Sequence, residues 1–364
     1  MKRILLIKTS SMGDVIHNLP IVADIRSRYP DAELHWLVEE SFADIPALHP
    51  QVNQVIPVAI RRWRKSLYRP QTWREIRAFR ARLAQTEYDF ILDTQGLLKS
   101  GLLARLAHGK RLGLDARSAR EALAALCCDA TFSVDPKAHA VVRYRALAQQ
   151  AFELAPNLPL DYGVRVPDLA LHWLPDTRYA VLLHATSRAE KYWAEENWVA
   201  LGLALQLRGL TAILPWGSLT EYECAQRLAA SIPNAVVAPR LTLKEAAVLL
   251  KQAALAVGVD TGLVHLATAV GVPTIGIYCG SDPAKNGLYA TTPMRNLGQD
   301  GVPPSAGAVI EAADHLLLSN QANATRGLSA GFLPLQGEGQ DGDGSLQQQN
   351  SPIPTPTLPL KGRG

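Results

Sequence analysis

Short, wholly apolar runs alternate along the chain with longer stretches whose apolar positions recur every three to four residues. Runs such as Ile4-Leu5-Leu6-Ile7 and Val181-Leu182-Leu183 show no polar alternation, the pattern of strands buried on both faces of a parallel sheet. In the first half the pattern predicts strands near 3–8, 33–38, 53–58 and 88–93. Helices follow at 15–28, 41–48, 71–86, 96–107, 118–127 and 139–154. The second half restarts the alternation, with strands near 179–184, 210–215, 254–258 and 273–278. Its helices fall near 195–208, 218–231, 242–252 and 262–270, and a last one near 304–319. Pro156, Pro159, Pro167 and Pro175 punctuate the stretch between the halves and place a linker near 165–178. The expected class is α/β: two Rossmann-like parallel-sheet domains, residues 1–170 and 171–320, facing a cleft. Ligands then bind at the carboxyl ends of the strands.

Past residue 320 the composition turns to Gly, Pro, Gln and Ser, and Leu333-Pro334-Leu335 is echoed by Leu358-Pro359-Leu360. Such a segment buries too little apolar surface to order itself, so 321–364 reads as a disordered low-complexity tail. Gly337, Gly339 and Gly342 have the spacing of a dinucleotide fingerprint, but no strand precedes them and no helix follows. Asp341-Gly342-Asp343 mimics an Asp-x-Asp metal clamp in the same unsuitable context. A nicotinamide-dependent oxidoreductase, which needs that fingerprint after an early strand, is thereby disfavoured.

The length of 364 residues fits two domains, and 48% apolar with 19% charged residues excludes a disordered or coiled-coil chain. A net charge of +4 does not by itself call for nucleic acid, and no nucleic-acid motif is present. Cys127, Cys128, Cys224 and Cys279 form no CxxC pair and no zinc-ligand spacing, so they read as reduced thiols of a cytoplasmic protein. No metal site is expected. No apolar stretch reaches the ~18 residues that a membrane span requires.

Three places can carry chemistry. After the first strand, Ser10-Ser11-Met12-Gly13-Asp14 forms a turn in which Gly13 permits close approach of a ligand. Asp14 then stands at a helix start, either as a cap or as a general base. Next, residues 61–82 hold nine Arg and Lys against Glu75 alone, with Trp63, Tyr68 and Trp73 interleaved. Too few acidic partners exist within this stretch for i,i+4 pairing, so it reads as a surface for a compact anionic ligand or an anionic membrane. Arg117 and Arg120 extend it. Finally, three strand ends of the second half carry polar residues: Thr186, Ser187 and Lys191; Trp216, Gly217 and Glu221; Asp260, Thr261, Gly262 and His265. Free amides at a helix start suit a pyrophosphate, and Asp260 reads either as part of that site or as a helix cap.

Together, the segments Lys8–His17, Arg61–Lys65, Leu214–Gly217 and Val259–His265 resemble the lipopolysaccharide heptosyltransferases of glycosyltransferase family 9, and among them the enzyme that acts first on the core. A later core heptosyltransferase of the same family is the alternative. The resemblance covers residues 1–320 and implies a GT-B fold. It implies an inverting transfer of L-glycero-D-manno-heptose from ADP-heptose to the inner Kdo of Kdo2-lipid A, at the cytoplasmic face of the inner membrane, without a cofactor or essential metal. By the same resemblance Asp14 is the general base and Ser10, Ser11, Met12 and Gly13 line the reacting centre. Thr186, Ser187 and Lys191 contact the donor phosphates, Glu221 the ribose and Leu241 the adenine. Asp260, Thr261, Gly262 and His265 hold heptose and pyrophosphate, and Arg61, Arg64, Lys65 and Arg120 hold the anionic acceptor. Tyr278-Cys279-Gly280-Ser281-Asp282-Pro283 departs from the Tyr-Gly-Pro-Thr-Asp-Pro commoner in the family.

Overall fold

The computed structural model describes residues 1–186 and 188–329, with side chains through residue 319. Among the described residues, twelve strands form two six-stranded sheets in which every strand pairing is parallel. The first contains β1 (Arg3–Ile7), β2 (Glu33–Glu39), β3 (Gln54–Val58), β4 (Glu87–Asp93), β5 (His108–Leu114) and β6 (Ala130–Phe132), in the order β3-β2-β1-β4-β5-β6. The second contains β7 (Tyr179–Leu183), β8 (Thr211–Leu214), β9 (Val236–Val237), β10 (Leu255–Val259), β11 (Thr274–Tyr278) and β12 (Met294–Gly298), in the order β12-β11-β10-β7-β8-β9.

Helices cross between the strands. In the first half they are α1 (Met12–His17), α2 (Pro20–Arg28), α3 (Asp44–Ala47), α4 (Ile60–Lys65), α5 (Pro70–Ala84), α6 (Leu98–Ala104) and α7 (Ala140–Phe152). In the second they are α8 (Glu195–Gln206), α9 (Leu219–Ser231), α10 (Leu243–Gln252), α11 (Gly262–Ala269), α12 (Pro283–Asn286) and α13 (Ala306–Ser329). The apolar runs of β1, β7, β10 and β11 are almost wholly buried, as helices on both sheet faces require. One apolar core passes from β1 and β2 through α1 and α7 into α11 and β7, so the two halves share buried surface.

The central strands fall where the apolar pattern puts them, and the differences lie at the edges. β5 and β6 were not expected, because Gly109, Lys110, Arg111 and Gly113 dilute the apolar signal and β6 has three residues. β9 and β12 were missed for the same reason: two residues in one, and partly exposed polar positions in the other. The helix expected at 15–28 divides into α1 and α2, with Pro20 opening the second at a position where its missing N–H is harmless. The helix expected at 118–127 is only a 3₁₀ segment, Ala122–Cys127, and that at 41–48 is a 3₁₀ turn, Glu40–Phe42, followed by α3. The last helix continues to Ser329, so residues 321–329 are helical where the tail was expected to begin. The remainder of that tail, 330–364, lies outside the described residues. No described helix is long and apolar enough to cross a membrane, and the four cysteines are free thiols.

Candidate active site

In each sheet the strand order reverses once, between β1 and β4 in the first and between β7 and β10 in the second. Such switch points open a crevice at the strand carboxyl ends. A cavity of about 770 Å³ lies at both, lined by residues that follow β1, β4, β7 and β10. The structure brings to it Ser11, Met12, Gly13, Asp14, Arg61 and Arg120 from the first half. From the second come Thr186, Lys191, Glu221, Leu241, Asp260, Thr261, Gly262 and His265. Ser187 lies outside the described residues.

The first wall is built by the turn after β1. Ser11, with extended backbone, is the N-cap of α1, and Asp14 three residues on reaches back to it. Asp14 Oδ2 accepts from the Ser11 amide at 3.0 Å and the Ser11 hydroxyl at 2.9 Å. Asp14 therefore does not cap the helix itself; it is the returning member of the box. Its other oxygen accepts from the Tyr144 hydroxyl of α7 at 2.8 Å. Burial opposes ionisation of this carboxyl, but the Lys8 ammonium, the Tyr144 hydroxyl and Ser11 outweigh it and hold Asp14 well below the usual carboxylate range. Ser10 is not at the cavity surface. It is buried, its amide and carbonyl tied to Gln95 at 3.3 and 2.7 Å and its hydroxyl accepting from Lys99 at 3.3 Å.

Lys8, quoted in the sequence motif without a role, is buried behind this wall. Its ammonium donates to the Thr94 carbonyl at 3.2 Å and stands 3.7 Å from the centre of the Tyr144 ring. Burial pulls it down to about 8, against the opposing pull of Asp14 and Asp93. A lysine closing an apolar strand is the one local signal of its importance. Tyr144 and Gln95 had none, since each reaches the turn from a distant element.

The second wall gathers around Asp260. Thr261, not Asp260, is the N-cap of α11. The Asp260 carboxylate instead accepts from Lys191 at 2.5 Å and from Ser281 at 2.7 Å, with His265 Nε2 at 3.6 Å. Burial opposes its ionisation, and these three neighbours nonetheless hold it below the usual range. The loop departing from the commoner motif thus supplies Ser281 as a ligand of Asp260. Glu221 closes a capping box at the start of α9: its Oε2 accepts from the Gly217 amide at 2.6 Å and the Ser218 amide at 3.1 Å. Leu241 lines the cavity near Trp216, whose indole donates to the Ala238 carbonyl at 2.7 Å.

The walls touch. A Cβ on Gly13 would stand 3.0 Å from the His265 ring, and one on Gly262 would stand 2.5 Å from Met12 Sδ. Glycine at both positions lets α1 and α11 meet face to face.

Two of the four expected acceptor cations leave this cavity. Arg61 lines it, whereas Lys65 lines a neighbouring depression of about 660 Å³ and Arg64 is exposed and lines neither. The basic stretch is also less one-sided in space than in sequence. Arg62 pairs with Glu40 at 3.0 Å and Glu75 at 2.7 Å, the first arriving from another element. Among the described residues no group of three or more His, Cys, Asp or Glu side chains is placed to hold a metal ion.

Two parallel-sheet halves with a shared cavity at their switch points make this a GT-B glycosyltransferase fold. Residues 76–305 match glycosyltransferase family 9 (heptosyltransferase), and the chain belongs to that family. It is 45% identical over 301 residues, 82% of this chain and 84% of the relative, to lipopolysaccharide heptosyltransferase 1 of Pseudomonas aeruginosa. The Escherichia coli heptosyltransferase WaaC with ADP is a structural neighbour at TM-score 0.80 and 39% identity, over 86% of this chain and 99% of that one. The same enzyme with ADP-2-deoxy-2-fluoro heptose matches at TM-score 0.75 and 37% identity, over 87% and 99%.

Proposed function

We propose that this protein transfers L-glycero-D-manno-heptose from ADP-heptose to the inner Kdo of Kdo2-lipid A, with inversion at the anomeric carbon. The observation carrying this reading is the meeting of two unlike walls at one cavity: an ionised, half-buried Asp14 on one side, and Lys191, Asp260, His265 and the start of α11 on the other. The 45% identity to a heptosyltransferase 1 favours the first core transfer over a later one. The neighbouring structures with ADP and with ADP-2-deoxy-2-fluoro heptose support the donor assignment.

In this mechanism Asp14 accepts the proton of a Kdo hydroxyl as that oxygen attacks the anomeric carbon. A positioned base of this kind contributes ~10²–10⁴-fold. Tyr144 and Ser11 keep the carboxylate oriented; they also make it a weaker base, and proximity to the nucleophile offsets this. The diphosphate leaves with growing negative charge. Lys191, Thr186 and the free amides at Thr261 and Gly262 meet it. Glu221 takes the ribose, Leu241 packs beside the adenine, and Arg61 and Arg120 hold the acidic acceptor.

Residence on the inner face of the inner membrane belongs to the same proposal. It is supported by the exposed Leu67, Tyr68 and Trp73, set among Arg64, Lys65 and Arg69 on and between α4 and α5. Aromatic rings beside cations suit an anionic bilayer surface. The experiment is ADP release from ADP-heptose with and without Kdo2-lipid A. Release that requires the acceptor supports the reading. Intact ADP-heptose binding with no release would direct the search to another acceptor.

A further inference from the structure

His17 sits at the end of α1, buried, with Nε2 3.1 Å from Nδ1 of His265 on α11. The rings meet edge to face, with centroids 4.4 Å apart. The Gly13 backbone lies against the His265 ring, so α1 confines it. The opposite edge of that ring presents Nε2 to Asp260 Oδ1 at 3.6 Å. A bare nitrogen lone pair facing a carboxylate is repelled, whereas an N–H is attracted. At 3.6 Å, beyond hydrogen-bond length, Asp260 favours the proton on Nε2 without holding it there, and Nδ1 is then free to accept. The third histidine in the group does not compete. His139 Nδ1 accepts from the Val141 amide at 3.2 Å, so its Nε2 carries the proton and donates to the Gly287 carbonyl at 3.0 Å.

We propose that His17 is the positioning residue for His265: its Nε2–H donates to His265 Nδ1 and so fixes the His265 proton on Nε2, aimed at Asp260 and into the cavity. Burial, with His265 and His139 nearby, keeps His17 neutral and hence with a single N–H to give. A ring nitrogen's partner sets which nitrogen serves the site. Here the partner lies three residues from Asp14, on the other half of the molecule. The bond therefore exists only while the halves are together, and it aligns the helix that carries the base with the helix that faces the donor. That His265 serves the donor rests on the function proposed above.

The test is a long-range ¹H–¹⁵N correlation of the imidazoles in the full chain labelled at histidine, with His265 assigned by the signals lost in His265→Gln. In the wild type, His265 is expected to be protonated at Nε2 and bare at Nδ1. In His17→Phe, which fills the volume without a donor, the two nitrogens of His265 are expected to average. In that variant kcat/KM for ADP-heptose falls roughly 10- to 100-fold. His17→Gln, which returns an N–H, recovers most of the loss. A protonated Nδ1 in wild-type His265, or a tautomer unchanged in His17→Phe, overturns the proposal. The wild-type spectrum decides even if the Phe variant does not fold. The expected tautomer in a protein that never turns over ADP-heptose would sink the substrate reading and leave the His17–His265 pairing standing.

Discussion

The Tyr144 hydroxyl donates to Asp14 Oδ1 at 2.8 Å, joining residues 130 positions apart in the chain. This bond stabilises the ionised carboxyl, so Tyr144→Phe should raise the pH at which Asp14 takes up a proton. Activity needs the carboxylate. The acid limb of kcat against pH is therefore expected to move upward, with a loss of less than ~10-fold at pH 8. An unmoved acid limb would separate Tyr144 from the base.

Lys8→Met removes the largest force that favours the Asp14 carboxylate, its Coulomb attraction to the Lys8 ammonium. The acid limb should move further than in Tyr144→Phe. Stability should respond at the other end of the scale. The folded-state value of Lys8 is about 8 and its ordinary value 10.5, so between these the unfolded chain holds a proton that the folded chain has released. Wild-type stability is expected to gain a contribution as pH rises through that window, which Lys8→Met lacks. Denaturant titrations at pH 7.5 and 10 measure the difference.

The Asp260 carboxylate pairs with Lys191 at 2.5 Å. Asp260→Asn frees the cation for a diphosphate and is expected to tighten ADP binding by ~3- to 10-fold. Transfer should nevertheless fall by ~10-fold or more, because Lys191 and His265 lose the carboxylate that orients them. Calorimetry with ADP beside steady-state rates tests both signs; weaker ADP binding would contradict the account.

Position in the cavity, rather than membership of the basic run, should decide acceptor use. Reversal of Arg61 and Arg120 to Glu is expected to raise the acceptor KM at least ~10-fold with ADP affinity spared. Arg64→Glu, at an exposed position that does not line the cavity, should change it less than ~3-fold in detergent-dispersed acceptor. Equal losses would show that Arg64 turns inward when acceptor binds.

Much of this was legible in the sequence because central parallel strands must be apolar throughout. β1, β7, β10 and β11 announce themselves, and the polar residues that follow two of them, Asp14 and Asp260, fall at the switch points. Edge strands such as β6 and β9 are too short and too exposed to leave such a signature. The local chemistry of each turn was legible only in part. Asp14 and Asp260 each stand within a few residues of a helix start, yet neither is the N-cap: Ser11 and Thr261 hold those places. Partners that arrive from afar, including Tyr144 on Asp14, Gln95 on Ser10 and His17 on His265, depend on tertiary packing that no local pattern encodes.

The most direct test is the mass of Kdo2-lipid A after incubation with ADP-heptose and either the wild type or Asp14→Asn. The account predicts an increase of one heptose with the wild type. It predicts unmodified acceptor with Asp14→Asn, which should still bind ADP-heptose. Unmodified acceptor with the wild type, or equal product from both proteins, would contradict it.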